Sequence, residues 1–168
     1  MKYTSAQAAK LLRKLNEERD MLLAEEKEGR EFVAAIQEDV ESVRPPYDFE
    51  ETQRALEEID RKIRVVKHAI NVFNTTHEVP GFGMTIDEVL VYLPQLTRQK
   101  EKLTAMSTRL EKRREDHSYS SSTIIEYNYA NYSIPVAKSM LGEVGDRLSR
   151  LQTALDIANT QETMEIDF

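Results

Sequence analysis

The 168-residue chain contains no cysteine and no tryptophan, and it has only five glycines and five prolines. Without cysteine it offers no disulfide, no zinc–thiolate site, no iron–sulfur cluster and no thiolate nucleophile. So few glycines and prolines argue against a loop-rich or all-β protein and favour long helices. No stretch approaches the ~20 apolar residues of a membrane span. The first 17 residues also lack the apolar core of a signal peptide, so we expect a soluble, cytoplasmic protein without membrane partners.

Acidic residues outnumber basic ones, 30 to 23, which gives a net charge of -7 with histidine neutral. A surface of this sign gains little from a polyanion, so the sequence predicts no nucleic-acid partner. Hydrophobic residues make up 40% of the chain, enough for a narrow core. The length fits one domain, residues 1–168.

Four amphipathic helices are predicted, over about 4–30, 48–74, 85–110 and 133–158. The first three begin with a capping residue followed three positions later by Glu or Gln: Thr4 and Gln7, Asp48 and Glu51, and Thr85 and Glu88. Apolar residues recur in these helices at the three- and four-residue gaps of a coiled-coil seam. Pro94 should kink the third helix or mark a broken first turn.

Between the helices the sequence changes character. Residues 118–122 form a small polar linker, and residues 123–132 then alternate, with Ile125, Tyr127 and Tyr129 on one face. That alternation predicts a strand. The first connector, residues 32–46, is also extended in character, although residues 32–36 could continue the first helix. The C-terminal residues 163–168 fit either a short strand or a frayed tail.

The two halves of the chain align with each other. An offset of 85 residues superimposes the second helix on the fourth and brings Asn74-Thr75 onto Asn159-Thr160, while an offset of 81 brings Thr4 onto Thr85. We therefore predict an internal repeat, 1–79 and 80–168, each half being helix, extended connector, helix. The fold expected is mainly all-α: a duplicated antiparallel four-helix bundle whose two connectors form minor β-structure. The alternative is that two amphipathic helices align by coincidence of their heptads.

Several helical segments also resemble the septicolysin-like family of small bacterial helical proteins. They are residues 12–23 (LRKLNEERDMLL), 63–76 (IRVVKHAINVFNTT), 84–90 (MTIDEVL), 125–126 and 151–160 (LQTALDIANT). The family name implies a membrane-active cytolysin. The chain has no cysteine and no apolar segment of membrane length, so its residues do not support that activity.

Two cations occupy equivalent seam positions, Arg19 in the first helix and Lys100 in the third. A cation in a seam needs a partner or a route to water, because an unpaired buried charge is costly. One interpretation is an internal site for a small anion or an acidic group that uses Asp20, Glu101 or Asp156. The favoured one is a polar layer that fixes the helix register, or cations that reach solvent.

Asn71, Asn74 and Asn159 lie near the ends of the second and fourth helices, where we predict left-handed caps. His77-Glu78 places a histidine beside a carboxylate, but the equivalent position in the second half has no histidine. We therefore predict no metal and no cofactor.

Tyrosines are concentrated in one short region, with Tyr119, Tyr127, Tyr129 and Tyr132 within fourteen residues. Such a group could stack on a ligand or a base, but tyrosines are more typical of contacts between subunits. A two-stranded ribbon is marginal alone, so we expect a second chain to cover it and the protein to be a homo-oligomer.

The chain has no Gly-rich phosphate loop, no Ser-His-Asp arrangement and no HExxH motif, so we expect no enzyme of a familiar class. The function predicted is that of a non-enzymatic, self-associating structural or interaction protein. The alternatives are the cytolysin implied by the resemblance and an enzyme or binder of a small anionic ligand.

Overall fold

The structure is a computed structural model that describes residues 1–115 and 125–168. Helices account for 67% of these residues, and the strands form small antiparallel sheets. The prediction of a mainly helical chain with minor β-structure is confirmed.

The elements follow one another in the order β1 (Lys2–Thr4), α1 (Ser5–Gly29), α2 (Val40–Val43), α3 (Phe49–Thr76), β2 (Glu78–Val79), β3 (Met84–Thr85), α4 (Ile86–Ser107), β4 (Lys112–Arg114), β5 (Tyr127–Tyr129), α5 (Ile134–Gln161) and β6 (Thr163–Glu165). The four long helices are the four that the sequence predicts, and α4 runs on through Pro94.

Side-chain caps explain where the long helices begin. The Thr4 hydroxyl accepts a hydrogen bond from the Gln7 amide at 3.2 Å, and the Gln7 side chain accepts one from the Thr4 amide at 2.9 Å. Thr85 and Glu88 make the same reciprocal pair at 3.3 and 2.7 Å. Each box satisfies two amides that the first helical turn leaves without an intrahelical partner. These two of the three predicted capping boxes are confirmed, and at the third start the Glu51 amide donates to Asp48 Oδ1 at 2.9 Å.

The predicted end of the third helix is wrong. The sequence suggests helix to Leu110, but α4 ends at Ser107, Leu110 is 71% exposed, and Lys112–Arg114 form β4. Within the described residues of the predicted strand 123–132, only Tyr127–Tyr129 are extended in a sheet. The predicted polar linker, residues 118–122, lies outside the described residues.

Among the described residues, the two connectors do not pair with each other, contrary to expectation. β5 pairs with β4 from its own connector, whereas the first connector, residues 31–48 after the C-cap Arg30, contains the short helix α2 and no strand. A strand that pairs within its own connector closes a short loop, and a short loop costs less chain entropy than a long one.

Two compact units can be distinguished. Unit 1 comprises residues 1–76 and 158–168, and unit 2 comprises residues 77–157. In unit 1, α1 lies along α3, and β1 pairs with β6 so that Tyr3 lies opposite Met164 and Thr4 opposite Thr163. The sequence left residues 163–168 as strand or frayed tail, and the strand alternative is correct. The single-domain organisation, with a repeat boundary between residues 79 and 80, stays a prediction.

In unit 2, β2 pairs with β3 so that Val79 lies opposite Met84 and Glu78 opposite Thr85. The amide of Ile86, the first residue of α4, donates to the His77 carbonyl at 2.9 Å. A Tyr132 hydroxyl bond to the Met106 carbonyl, at 2.8 Å, holds the chain just before α5 to the end of α4. The first two contacts fix the start of α4, and the third fixes where the segment that joins α4 to α5 returns to the helices.

Candidate functional site

The polar seam position in α1 has an acidic partner that the sequence analysis did not consider. The Arg19 Nε atom donates to Asp60 Oδ1 on α3 at 2.7 Å, and both side chains are partly exposed. Asp60 follows Ile59 of the α3 seam, so its position beside the seam was the signal that could have found it. Asp20, the neighbour considered from sequence, is exposed.

The other members of the predicted polar seam lie on the surface. Lys100 and Glu101 are exposed on α4, and Asp156 is exposed on α5. The small-anion site suggested for these residues stays a prediction.

The prediction of left-handed asparagine caps is wrong. Asn71 and Asn74 lie inside α3, which continues to Thr76, and Asn159 lies inside α5, which continues to Gln161. In the described ranges, positive φ angles occur only at Gly81 and Gly83. Threonine side chains act near the end of α3 instead, since the Thr75 and Thr76 hydroxyls donate to helix carbonyls.

The tyrosine face predicted from alternation is present on the two-stranded sheet of β4 and β5, which we call the ribbon. Tyr127 lies opposite Arg114, and Tyr129 lies opposite Lys112. Because directly opposed residues of an antiparallel pair share a face, cations and tyrosines are on the same side. The Lys112 ammonium lies 3.9 Å from the Tyr127 ring centroid and 5.5 Å from that of Tyr129.

The ribbon is exposed over both faces. Tyr127 and Tyr129 are 43% and 61% exposed, with their ring centroids 6.4 Å apart. Two backbone hydrogen bonds extend the pairing beyond the strands, from the Glu115 amide to Glu126 and from the Ala130 amide to Glu111. Among the described residues, the ribbon is therefore a regular two-stranded sheet with exposed faces.

Tyr132 differs from the other two predicted interface tyrosines. It is half-buried, and its hydroxyl is bound to the Met106 carbonyl, so it anchors the ribbon to α4. Tyr119 lies outside the described residues. A cavity of about 540 Å³ lies beside this anchor, and its lining includes Arg109, Arg113, Asn128, Tyr129 and Tyr132.

The first connector carries a second exposed surface, which the sequence analysis missed. We call residues 31–48 the acidic connector, because it holds five carboxylates and one cation, Arg44. Val33 is 94% exposed, and Ile36 is also fully exposed. Its mixture of carboxylates and exposed aliphatic side chains, outside any long helix, was the available signal.

Arg44 makes two contacts within the acidic connector. Arg44 donates to both oxygens of Glu41, at 3.0 and 2.8 Å, and these hydrogen bonds together with the positive charge lower the pKa of Glu41. The Arg44 guanidinium also lies 5.2 Å from the Phe32 ring centroid. The single cation of this segment is therefore already engaged within it.

A pocket of about 290 Å³ adjoins the C-terminal end of the acidic connector, and its lining includes Glu25, Glu26, Asp48, Glu51 and Tyr47. The Tyr47 hydroxyl donates to Glu26 at 3.3 Å. Loss of hydration raises the pKa of Tyr47, and the Glu26 charge adds to the effect. Negative charge thus continues from the connector onto the neighbouring helices.

In the described ranges, no group of three or more His, Asp or Glu side chains gathers as metal ligands would. No helix there combines the length and the apolar character needed to cross a membrane.

Comparison with known proteins gives one structural likeness. No protein-family model matches the chain, and no curated protein matches it. A crystal structure of a functionally unknown conserved protein from Corynebacterium diphtheriae is similar, with a TM-score of 0.58 over 98% of this chain and 100% of that chain. The two sequences are 17% identical, so the likeness shows a shared fold and nothing about function.

Proposed function

We propose that this protein is a non-enzymatic interaction module of the bacterial cytoplasm that associates with itself through the ribbon. The observation that carries the proposal is the exposed Tyr127 and Tyr129 pair on a sheet of only two strands. Isolated two-stranded sheets are marginally stable in water, and their open edges and faces tend to be covered.

The chemistry of the ribbon supports a protein partner. Tyrosine and arginine are enriched at the centres of protein interfaces, where rings bury a large area and still offer a hydroxyl. Tyr127, Tyr129 and Arg114 share one face of the ribbon. Covering this face would also remove water from the contact between Lys112 and the rings, which is worth ~0.5–1 kcal/mol when exposed and more when desolvated.

Replacing Tyr127 and Tyr129 together by serine tests the proposal. Light scattering at tens of micromolar should give an oligomer for the unmodified protein and a lower mass for the variant, while circular dichroism keeps most of the helical signal. Leu90→Ser with Val91→Ser is the control, because both residues are exposed on α4. A monomeric unmodified protein at that concentration would refute self-association.

The proposal includes a duplicated architecture, an antiparallel four-helix bundle built from two copies of one helical pair. It is supported by two of the sheets, β1 with β6 and β2 with β3. An offset of 81 maps Tyr3 and Thr4 onto Met84 and Thr85, and an offset of 85 maps Val79 onto Met164. These offsets convert the Tyr3–Met164 pair into the Met84–Val79 pair, so the register agrees as well. An experimental structure should superpose both helices of each half with one rotation.

A further inference from the structure

The paired strands of the ribbon carry three cations and no carboxylate: Lys112, Arg113 and Arg114. Glu111, Glu115 and Glu126 flank the two strands, and by the alternation of side chains they lie on the face opposite Lys112 and Arg114. Glu115, at the end of β4, accepts a hydrogen bond from the Asn128 side chain at 3.0 Å. The tyrosine face of the ribbon therefore presents rings together with two cations, Lys112 and Arg114.

The acidic connector has the complementary character. Glu31, Glu38, Asp39, Glu41 and Asp48 are its carboxylates, and Arg44 is occupied by Glu41. Val33 and Ile36 supply exposed aliphatic surface on which rings can lie. The carboxylate-lined pocket at its end extends the negative surface.

We propose that the ribbon of one copy docks on the acidic connector of a second copy, which rests on the self-association proposed above. A closed pair of chains related by a two-fold axis makes this contact twice, because each chain supplies one ribbon and one connector. Using it twice helps such a pair to reach the ~1,200–2,000 Å² that stable interfaces bury. Opposite charges would guide the encounter, and the rings and aliphatic side chains would be covered.

Aliphatic surface decides between this partner and a nucleic acid. A single strand could stack on Tyr127 and Tyr129 beside the cations, but the net charge of -7 opposes a polyanion and a second copy alike. A second copy adds the exposed side chains of Val33 and Ile36, which the rings can cover and which a nucleic acid lacks.

A charge exchange between two variants tests the contact. The ribbon variant carries Lys112→Glu and Arg114→Glu, and the connector variant carries Glu31→Lys and Glu38→Lys. These choices leave the Glu41–Arg44 pair and the caps at Asp39 and Asp48 in place. The controls carry equal charge changes at exposed sites on the long helices, Lys10→Glu with Lys102→Glu and Glu17→Lys with Glu57→Lys.

Sedimentation or light scattering should show each variant alone dissociating at least about tenfold more readily than the unmodified protein, since the ribbon variant opposes like charges and the connector variant loses its net negative charge. An equimolar mixture of the two variants should restore association, because one contact of the mixed pair is unaltered and the other places the introduced carboxylates opposite the introduced lysines. The controls should associate like the unmodified protein, and circular dichroism should be unchanged throughout.

The outcomes separate the two proposals. A monomeric unmodified protein ends both of them, and binding of a labelled single-stranded oligonucleotide that the ribbon variant loses would then assign the ribbon to nucleic acid. An oligomeric unmodified protein whose variants also associate normally overturns only the docking of ribbon on connector. So does loss of association in the ribbon variant alone, or a mixture of variants that stays monomeric.

Discussion

Unit 1 and unit 2 begin their first long helices in the same way and join their helices differently. In each unit a strand leads into a threonine capping box, and a buried residue follows at an equivalent position, Ala8 in α1 and Val89 in α4, although α4 also buries Ile86. The connectors share none of this: one contains α2 and five carboxylates, and the other contains the basic ribbon.

The comparison separates the positions that folding constrains from those that it does not. Positions that must be buried or capped agree between the units, because substitution there costs folding free energy. The connectors are free of that constraint, so their surfaces could diverge: one carries mainly carboxylates, and the other carries Lys112 and Arg114 beside its tyrosines.

The largest expected effect comes from removing a buried ring. Phe73 is 1% exposed, and Phe73→Ala should reduce the free energy of unfolding by ~3–5 kcal/mol. The neighbouring Val72 is 45% exposed, so Val72→Ala should have a much smaller effect. Urea unfolding followed by circular dichroism measures both. Equal losses would show that burial along α3 is not as described.

Removing the two capping hydroxyls should have matched, intermediate effects. Thr4→Ala and Thr85→Ala should each cost ~0.5–2 kcal/mol of stability, because each removes an acceptor for a first-turn amide. The same unfolding experiment applies, with Thr97→Ala on α4 as a control away from any helix end. A loss confined to one unit would break the equivalence of the two boxes.

A smaller effect on stability is expected at the seam cation, which is Arg19 paired with Asp60 in unit 1 and the exposed Lys100 in unit 2. A double-mutant cycle on Arg19 and Asp60 should give a coupling of ~0.2–1 kcal/mol that falls with added salt, as for other exposed ion pairs. Lys100→Ala tests the equivalent position in α4 and should leave stability nearly unchanged. A coupling of several kcal/mol would mean that the pair is shielded from water.

The smallest expected effect is on the pH dependence of stability at the capping box of Thr85 and Glu88, where the side-chain acceptor is a carboxylate. Hydrogen bonds from the Thr85 amide, and then from its hydroxyl, lower the pKa of Glu88 below its usual 4.5. A lowered pKa in the folded state adds stability above the unfolded value, and that stability is lost as pH falls through the folded value.

Glu88→Gln should therefore reduce the acid sensitivity of the unfolding free energy below about pH 5, where the unfolded carboxyl begins to protonate. Gln7 already gives the other box an uncharged partner, so a change from Gln7 to Glu should add acid sensitivity. Unfolding measured at several pH values tests both. Parallel pH profiles for all three proteins would contradict the assignment.

The long helices could be predicted because their signals are local. Capping residues and apolar spacing lie within the segment that they describe, so Thr4, Asp48 and Thr85 identified helix starts to within one residue. The strand β1 was not found, because its partner β6 lies at the other end of the sequence. β4 was missed because Lys112–Arg114 also fit the end of a helix.

The candidate surfaces also divide into features that local sequence predicts and features that depend on distant contacts. Alternation placed Tyr127 and Tyr129 on one face without knowledge of the partner strand, whereas the contact of Tyr132 with Met106 depends on tertiary structure. Arg19 was recognised as needing a partner, but the sequence offered several carboxylates and did not select Asp60.

The pairing of β1 with β6 also has a consequence for the order of folding. Residues 77–157 of unit 2 form one continuous stretch, whereas unit 1 needs residues 158–168 to supply β6. At ~5–20 residues per second, a ribosome would add β6 on the order of 10–30 s after β1 emerges. Contacts this distant in sequence form slowly even in the complete chain. During synthesis, the edge of β1 would therefore stay unpaired until nearly the whole chain has been made, because β6 follows directly after unit 2.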